Sequence, residues 1–196
     1  MSTQNAEEST QRYGYVFNLL CDDRPGIVAG VSSAINSIGG NIEACSQTVL
    51  NRYFTIIMTV TLDRSWDCEE LGEKILAEGR LKGCQVSVRP AVIYPEGRVE
   101  NRPDTFVITA FGRDRNGIVS AFSRYLAEKD VNIIDLYGNR TGKEEFLLIS
   151  QVEVDARHDI QNLQLDLEGI GSELGFTVKL QHNNVFVATN RLRLEH

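Results

Sequence analysis

Apolar side chains recur along this chain at two different spacings, and the spacing changes from one short segment to the next. From Phe54 to Leu62 every second position is apolar, which is the period of a strand with one buried face. From Ile27 to Ile38 the apolar positions lie three or four residues apart, which is the period of a helix. These patterns predict strand, helix, strand, strand, helix and strand, and then the same six elements again.

The predicted elements occur in the same order in both halves of the chain. The first half is predicted to contain a strand over 15–21, a helix from Ile27 ended by Gly39-Gly40, a hairpin with its second strand over 54–62, a helix within 66–79 and a strand over 85–93. The second half is predicted to contain a strand over 105–111, a helix from Ile118, a hairpin with its second strand over 146–154, a helix over 160–174 capped by Gly175, and a strand over 176–188.

The two halves also repeat in sequence. Shifting the chain on itself by 91 positions aligns Asp23–Val28 with Asp114–Val119, and Asn41-Ile42 with Asn132-Ile133. Eight of the twenty positions from Asp23 onward are identical, where chance would give about one. In the hairpin the shift becomes 92, so the second copy has one extra residue in its turn near Gly142. We conclude that the halves are copies of one domain.

The repeated element order is the ferredoxin-like βαββαβ pattern, an α+β fold in which two helices cover one face of a four-stranded antiparallel sheet. We expect a first domain over 13–93 and a second over 104–190, joined by a linker over 94–103 that contains two prolines. A flexible N-terminal tail over 1–12 and a tail over 191–196, whose last three residues resemble an expression tag, complete the expected organisation.

The turn between the first strand and the first helix of each copy is the predicted centre of any chemistry. A helix start offers unpaired backbone N–H groups to an anion. Pro25, placed in the first helical turn, costs no hydrogen bond because the N–H groups there have no partner within the helix. Gly26 has no side chain, so a ligand could approach the backbone closely. Asp23 would hold a ligand ammonium, and Asn41 at the next strand adds a donor and an acceptor nearby. The same residues could instead cap the helix, form the tight turn and satisfy the local backbone.

In both copies a strand, the motif Asp-Arg-x-Gly-Ile-Val, a helix and an Asn-Ile pair that opens the next strand follow one another. This arrangement resembles the ACT domain, a regulatory module that binds amino acids, over nearly all of the chain between Tyr13 and Ala188. A chain made of two such domains is similar to the glycine cleavage system transcriptional repressor family.

The resemblance implies that a small amino acid, such as glycine or serine, binds between two ACT domains, with the Asp-Arg-Pro-Gly loop of one facing the Asn-Ile strand of the other. By position, it assigns ligand contacts to Asp23, Arg24, Pro25, Gly26, Ile27, Asn41 and Ile42 in the first copy, and to Asp114, Gly117, Ile118, Asn132 and Ile133 in the second. The second copy departs from the pattern at Asn116, where proline is usual, so its loop is expected to be less rigid.

Composition and charge narrow the classes of partner. The net charge is −7 and no segment is rich in Lys and Arg, so we expect no direct binding of nucleic acid. No apolar run approaches the roughly 20 residues of a membrane span, so a cytoplasmic location without a membrane partner is expected. The four cysteines include no closely spaced pair, and no cluster of metal ligands occurs, so we predict free thiols, no metal and no cofactor. The resemblance implies that this protein acts through a regulatory partner protein, and that the partner, not this chain, binds DNA. We also expect the chain to form a homodimer.

Two other functions remain open from the sequence. Ferredoxin-like folds also include acylphosphatases, in which an arginine binds the phosphate and an asparagine positions a water molecule. Arg24 and Asn41 could take these two roles. The glycine-rich loop of such enzymes is missing here. His158 and His182 lie outside the repeated motif, and no Gly-x-Ser-x-Gly sequence occurs, which argues against a Ser-His-Asp hydrolase. A ligand-free scaffold for protein contacts is the other alternative. We therefore expect a regulator rather than an enzyme.

Overall fold

The computed structural model describes residues 12–92 and 103–191. The chain divides into two compact units, unit 1 inside residues 1–98 and unit 2 inside residues 99–196. None of the helices in the described ranges is long and apolar enough to cross a membrane.

The expected linker over 94–103 falls almost wholly outside the described residues. The same holds for the expected tails over 1–12 and 191–196, including the tag-like final residues. The domain limits 13–93 and 104–190 therefore stay predictions.

Each unit contains the six predicted elements in the predicted order. Unit 1 consists of β1 (Tyr13–Asp22), α1 (Ile27–Ser37), β2 (Asn41–Leu50), β3 (Tyr53–Leu62), α2 (Cys68–Leu76), a 3-10 helix (Gly79–Leu81) and β4 (Gln85–Pro90). Unit 2 consists of β5 (Asp104–Arg113), α3 (Ile118–Glu128), β6 (Asn132–Thr141), β7 (Glu145–Val154), α4 (Ile160–Leu174), β8 (Phe176–His182) and α5 (Asn183–Arg191).

The strands of each unit form one four-stranded antiparallel sheet. The order is β2-β3-β1-β4 in unit 1 and β6-β7-β5-β8 in unit 2. With two helices packed on each sheet, this is the predicted ferredoxin-like architecture, and the fold class is confirmed. Because β1 and β2 both pair antiparallel with β3, they run parallel to each other, and α1 returns the chain between them.

One face of each sheet carries the core because alternate side chains of the two central strands point toward the helices. The alternation that predicted β3 is seen in its burial: every second side chain from Phe54 to Leu62 is buried in the core, whereas Ile57 on the other face is exposed. The most deeply buried large side chains are Phe17, Leu19, Ile27, Ile35, Met58, Leu62, Leu71, Ile75 and Leu81 in unit 1, and Ile108, Leu126 and Leu148 in unit 2.

The hairpins confirm the extra residue predicted in the second copy. Two residues, Asn51 and Arg52, join β2 to β3, and both have positive φ angles, +49° and +79°. Positive φ at both central positions is the conformation of a type I′ turn, which matches the twist of the strands. Three residues join β6 to β7, and the first of them, Gly142, has φ +80°.

The predicted last strand over 176–188 is wrong in its second half. β8 ends at His182, and the chain continues directly as α5, which packs against β5 and β8. The His182 ring nitrogen Nδ1 accepts the N–H of Asn184 at 3.2 Å, and Asn is a residue that favours turns over strands. This side-chain contact occupies a backbone donor that a continuing strand would use for pairing.

Candidate functional site

The loop over residues 23–26 exposes the start of α1 at the surface of unit 1. Gly26 precedes α1 directly with φ +96°, a region that is open to glycine and costly for other residues. Within the part of the chain that the structure describes, no side chain caps α1, so the N–H groups of its first turn have no side-chain acceptor there. The alternative in which Asp23 caps the helix is therefore wrong. Pro25 lies before α1 rather than in its first turn, contrary to expectation.

The Asp23 side chain is exposed beside this helix start. Its backbone N–H donates to the carbonyl oxygen of Arg52 at 2.7 Å, which ties the loop to the β2–β3 turn. Among residues 12–92 and 103–191, no hydrogen bond or ion pair of its carboxylate is found. The carboxylate is thus available to an incoming cation.

The Arg24 guanidinium is held by hydrogen bonds to another segment, which also packs beside the start of α1. Nη2 donates to the carbonyl oxygens of Arg80 at 3.1 Å and Lys82 at 2.7 Å, and it contacts the sulfur of Cys84 at 3.6 Å. Nη1 donates to the carbonyl oxygen of Asp22 at 3.2 Å. This arginine cross-links the loop to the segment that precedes β4. The geometry does not favour the acylphosphatase alternative, which needs a guanidinium free to bind phosphate.

The structure separates Asn41 from the loop, so the expectation that Asn41 lies nearby is wrong. Asn41 pairs with Thr61, and Thr61 pairs with Gly14 near the start of β1, whereas the loop follows Asp22 at its other end. Eight residue steps separate Gly14 from Asp22, which corresponds to about 27 Å of strand at roughly 3.4 Å per residue. The loop and the Asn-Ile pair of one unit cannot contact the same small ligand.

Glu43 is a neighbour of Asn41 that sequence reasoning missed. It lies at a β-bulge, where the register with β3 shifts between Ile42 and Ala44. Its Oε1 accepts hydrogen bonds from the Thr61 hydroxyl at 2.6 Å and from the Asn41 amide at 3.0 Å. These bonds, the one from Thr61 first, hold the pKa of Glu43 below its ordinary value. Unit 2 has a bulge in the same place, between Ile133 and Asp135.

The four predicted isoleucines belong to the cores. Ile27 and Ile118 are buried at the first position of α1 and α3, and Ile42 and Ile133 pack against the core as partly buried side chains. This packing role explains why both copies have isoleucine at these places.

The corresponding loop of unit 2 has a similar backbone conformation at its glycine, but its aspartate has a different charged neighbour. Gly117 precedes α3 with φ +106°, again without a side-chain cap. Asp114 forms an ion pair with Arg140 of β6, and the Asn132 amide donates to Glu153 at 3.1 Å. The residue that corresponds to Arg140 in the first copy is Val49. The Asp114 carboxylate is therefore already neutralised, whereas that of Asp23 is not.

A pair of cysteines is brought together that the sequence spacing did not indicate. Cys21 at the end of β1 and Cys84 just before β4 are both buried, and their side chains interact. Only the register between β1 and β4, which is not visible in local sequence, places them opposite each other. Among the described residues, no group of three or more His, Cys, Asp or Glu side chains is arranged to hold a metal.

A groove between the second helix and the last strand occurs in both units. In unit 1 it has a volume of about 450 Å³ and is lined by Glu69, Glu73, Leu76, Val86 and Val88, among others. In unit 2 it has a volume of about 480 Å³ and lies between α4 and β8. In both units the strand that borders the groove is the edge strand of its sheet, with one side unpaired in the sheet order.

Relatives of known sequence match one half of this chain at a time. A UPF0237 protein of Methanocaldococcus jannaschii is 36% identical over 88 residues, covering 44% of this chain and 96% of the relative. A UPF0237 protein of Streptococcus pneumoniae is 35% identical over 79 residues, covering 40% of this chain and 90% of the relative. Each of these relatives therefore corresponds to a single domain of the present chain.

Solved structures match both halves together. The crystal structure of an unknown protein from Galdieria sulphuraria has a TM-score of 0.72 at 25% identity, covering 88% of this chain and 99% of its own. A candidate glycine cleavage system transcriptional repressor has a TM-score of 0.66 at 18% identity, covering 87% of this chain and 96% of its own, which shows a shared fold. The family model of the ACT domain matches residues 16–89 and again 104–181. With two copies that span most of its length, this chain belongs to the ACT domain family.

Proposed function

We propose that this chain is a non-enzymatic regulatory protein that senses a small amino acid, of the size of glycine or serine, at the loop over residues 23–26. The observation that carries the proposal is the start of α1 beside the carboxylate of Asp23, neither of which has a side-chain partner among the described residues. An α-amino acid carries a carboxylate and an ammonium close together. The N–H groups of the first turn suit the carboxylate, and Asp23 suits the ammonium.

The size of such a ligand limits its affinity. Glycine has five non-hydrogen atoms, and at a ceiling of about −1.5 kcal/mol per atom its binding free energy cannot pass about −7.5 kcal/mol. This corresponds to a dissociation constant in the low micromolar range. A protein with this affinity responds to amino acids at metabolite concentrations.

A second copy of the chain is proposed to complete the site. Within one unit the loop and Asn41 lie at opposite ends of the sheet, so the Asn-Ile strand that faces the loop must come from another domain. β2 is an edge strand whose side chains are exposed along nearly all its length, which leaves it accessible to such a partner. A homodimer would thus bring Asn41 and Ile42 of one copy to the loop of the other.

The two units are proposed to differ in ligand binding. Both loops keep the glycine geometry, but the ion pair between Asp114 and Arg140 occupies the carboxylate that the ammonium would need. An incoming ammonium would have to displace a guanidinium at that position. We therefore assign the amino-acid site to unit 1.

Regulation is proposed to pass through a protein partner in the cytoplasm rather than through DNA contact. The chain carries a net charge of −7, which disfavours approach to the phosphate backbone. One protein with the same two-domain fold is a candidate transcriptional repressor of the glycine cleavage system, which suggests the same type of output here. Binding of the amino acid would bias the interface that the partner contacts.

Isothermal titration calorimetry of the full chain, preceded by a thermal-shift panel of the twenty amino acids, tests the site. Asp23→Asn removes the charge without changing the size, and we expect binding at least tenfold weaker than that of the wild type. Asp114→Asn is the matched control, and we expect it to bind as the wild type does. Gly26→Val is a poorer test, because φ +96° strains any side chain there before a ligand is considered.

The site assignment fails if Asp23→Asn binds as tightly as the wild type. Unfolding curves of the unliganded variants should coincide with that of the wild type, since neither aspartate is buried. A loss of binding in Asp114→Asn alone would move the site to unit 2.

A ligand-free scaffold is the second candidate function, and the groove repeated in both units favours it. Each groove combines an apolar floor with an unpaired strand edge, which suits the addition of an extended peptide. The two functions differ in the thermal-shift panel. The sensor predicts a melting temperature that rises with the concentration of one amino acid, whereas the scaffold predicts no shift with any of them.

A further inference from the structure

Cys21 and Cys84 occupy facing positions on neighbouring strands of unit 1. The antiparallel register of β1 with β4 ends at the pair Leu20 and Gln85, so Cys21 and Cys84 are the next residues in step. Both side chains point into the core, where Cys21 is 6% exposed and Cys84 is 8% exposed. Both cysteines are free thiols.

The strand register implies the spacing that a disulfide needs. The Cys84 N–H donates to the carbonyl oxygen of Leu81 at 2.9 Å instead of to β1, so the two cysteines form a pair without direct ladder hydrogen bonds. Facing residues of this kind have Cα atoms about 4.5 Å apart, and their side chains approach closely. A disulfide spans Cα separations of about 4.4 to 6.8 Å.

The two thiols differ in their surroundings. Burial, followed by the neighbouring Cys84 sulfur, raises the pKa of the Cys21 thiol to about 12, so Cys21 carries little thiolate at neutral pH. Cys84 lies in the turn after the 3-10 helix, and its sulfur is contacted by the Arg24 guanidinium. Of the two, Cys84 is placed to react first when this turn opens to solvent.

We propose that Cys21 and Cys84 are a redox site, at which a low-molecular-weight disulfide oxidises the two thiols to one reversible intramolecular disulfide. The Cys84 thiolate attacks a sulfur of the small disulfide, forms a mixed disulfide and releases one small thiolate. The Cys21 sulfur then attacks the Cys84 sulfur, forms the Cys21–Cys84 bond and releases the second small thiolate. The two protons of the protein thiols pass to the released thiolates, so two protein thiols are oxidised and one small disulfide is reduced.

The site belongs to unit 1 alone. Gly112 stands at the position of Cys21 in the second copy, and a Cβ atom added there would collide with the carbonyl oxygen of Gly175. The disulfide would join the end of β1 to the segment whose carbonyls hold Arg24, directly beside the loop over 23–26. The two cysteines would form this bond whether or not an amino acid is bound at the loop.

Oxidised glutathione is the probe, applied to the folded full chain and followed by thiol alkylation, intact mass measurement and peptide mapping. We expect wild type to lose two hydrogen atoms between Cys21 and Cys84, to give one cross-linked peptide pair, and to recover both thiols on reduction. A chain with Cys45→Ser and Cys68→Ser, which lacks the exposed and the half-buried thiols, should give the same cross-link. The oxidised form should melt at a higher temperature than the reduced form.

Cys21→Ser in that background is the matched control and should give a glutathione adduct at Cys84 without a cross-link. The proposal is overturned if oxidised wild type carries only glutathione adducts, or if Cys21 and Cys84 stay reduced while Cys45 reacts. Because the peptide map of wild type decides the outcome, a folding defect in Cys21→Ser would not obscure it.

Discussion

Arg24 and Arg115 occupy the same position in the repeat, but the structure gives them different roles. Arg24 donates to three backbone carbonyl oxygens and contacts the sulfur of Cys84. Arg115 is exposed, and none of the described residues forms a hydrogen bond or ion pair with it. Arg24→Ala and Arg115→Ala are thus a matched pair, in which only the first should destabilise its unit.

The expected magnitude follows from the hydrogen bonds. A buried hydrogen bond to a charged group contributes about 1.5–3 kcal/mol. Because the Arg24 contacts lie near the surface, we discount each of the three carbonyl bonds to about 1 kcal/mol or less, and we expect a loss of about 2 kcal/mol. Arg115→Ala should stay within about 0.5 kcal/mol of wild type. Arg24→Lys keeps the charge but loses the several N–H donors of the planar guanidinium, so its loss of unfolding free energy should lie between those of the two alanine variants.

Urea unfolding followed by tryptophan fluorescence measures the effect in unit 1 specifically. Trp66 is the single tryptophan of the chain, and it packs against the core of unit 1. With a slope of about 1 kcal/mol per molar urea for a domain of this size, Arg24→Ala should lower the fluorescence midpoint by roughly 2 M. The reasoning is refuted if the fluorescence midpoints of Arg24→Ala and wild type agree within about 0.5 M, which corresponds to about 0.5 kcal/mol at that slope. Because Trp66 lies in unit 1, Arg115→Ala is followed by far-UV circular dichroism, which detects the unfolding of both units.

Two further predictions concern hydrogen bonds of unit 1. The Tyr15 hydroxyl donates to the backbone carbonyl oxygen of Trp66 at 3.0 Å and accepts a hydrogen bond from the backbone N–H of Trp66 at 2.8 Å. Tyr15→Phe should therefore lower the free energy of unfolding in urea by about 2 kcal/mol. A loss below about 0.5 kcal/mol would contradict this expectation. Thr61→Val removes the strongest cause of the lowered Glu43 pKa, which should rise toward 4.5 in an NMR titration, and an unchanged value would contradict the assignment. A carboxyl group whose pKa is lower in the folded state than in the unfolded state stabilises the fold at pH values above its unfolded-state pKa. This stabilisation is lost as the pH falls through the folded-state pKa. Acidification should therefore lower the free energy of unfolding of the wild type more than that of Thr61→Val.

Much of the fold could be predicted because it is encoded over short stretches. The alternation from Phe54 to Leu62 predicted β3, and the repeat predicted the extra residue at the turn near Gly142. Gly39 and Gly175 follow α1 and α4 with φ +74° and +78°, a conformation that glycine adopts at low cost. These features depend on side chains near in sequence, so the pattern alone was sufficient.

Features that depend on pairing between distant strands were missed or misplaced. Asn41, at the start of the next strand, was expected near the loop, but the parallel course of β1 and β2 puts it at the other end of the sheet. Cys21 and Cys84 meet only through the register of β1 with β4. The run of apolar, mostly β-branched or aromatic residues over 185–188 resembles a strand, yet the chain forms a helix there, beside the contact of Asn184 with His182. In each case a non-local contact or a side-chain bond overrides the local pattern.

The opposite placement of the loop and Asn41 has a thermodynamic consequence for any sensor of the proposed kind. If each half of the binding site comes from a different copy, ligand occupancy and self-association are linked equilibria. The factor by which the amino acid tightens assembly must equal the factor by which assembly tightens the hold on the amino acid. The cellular abundance of the protein would then help to set its response threshold, and dilution far below the dissociation constant of the dimer would raise the amino-acid concentration that a response needs.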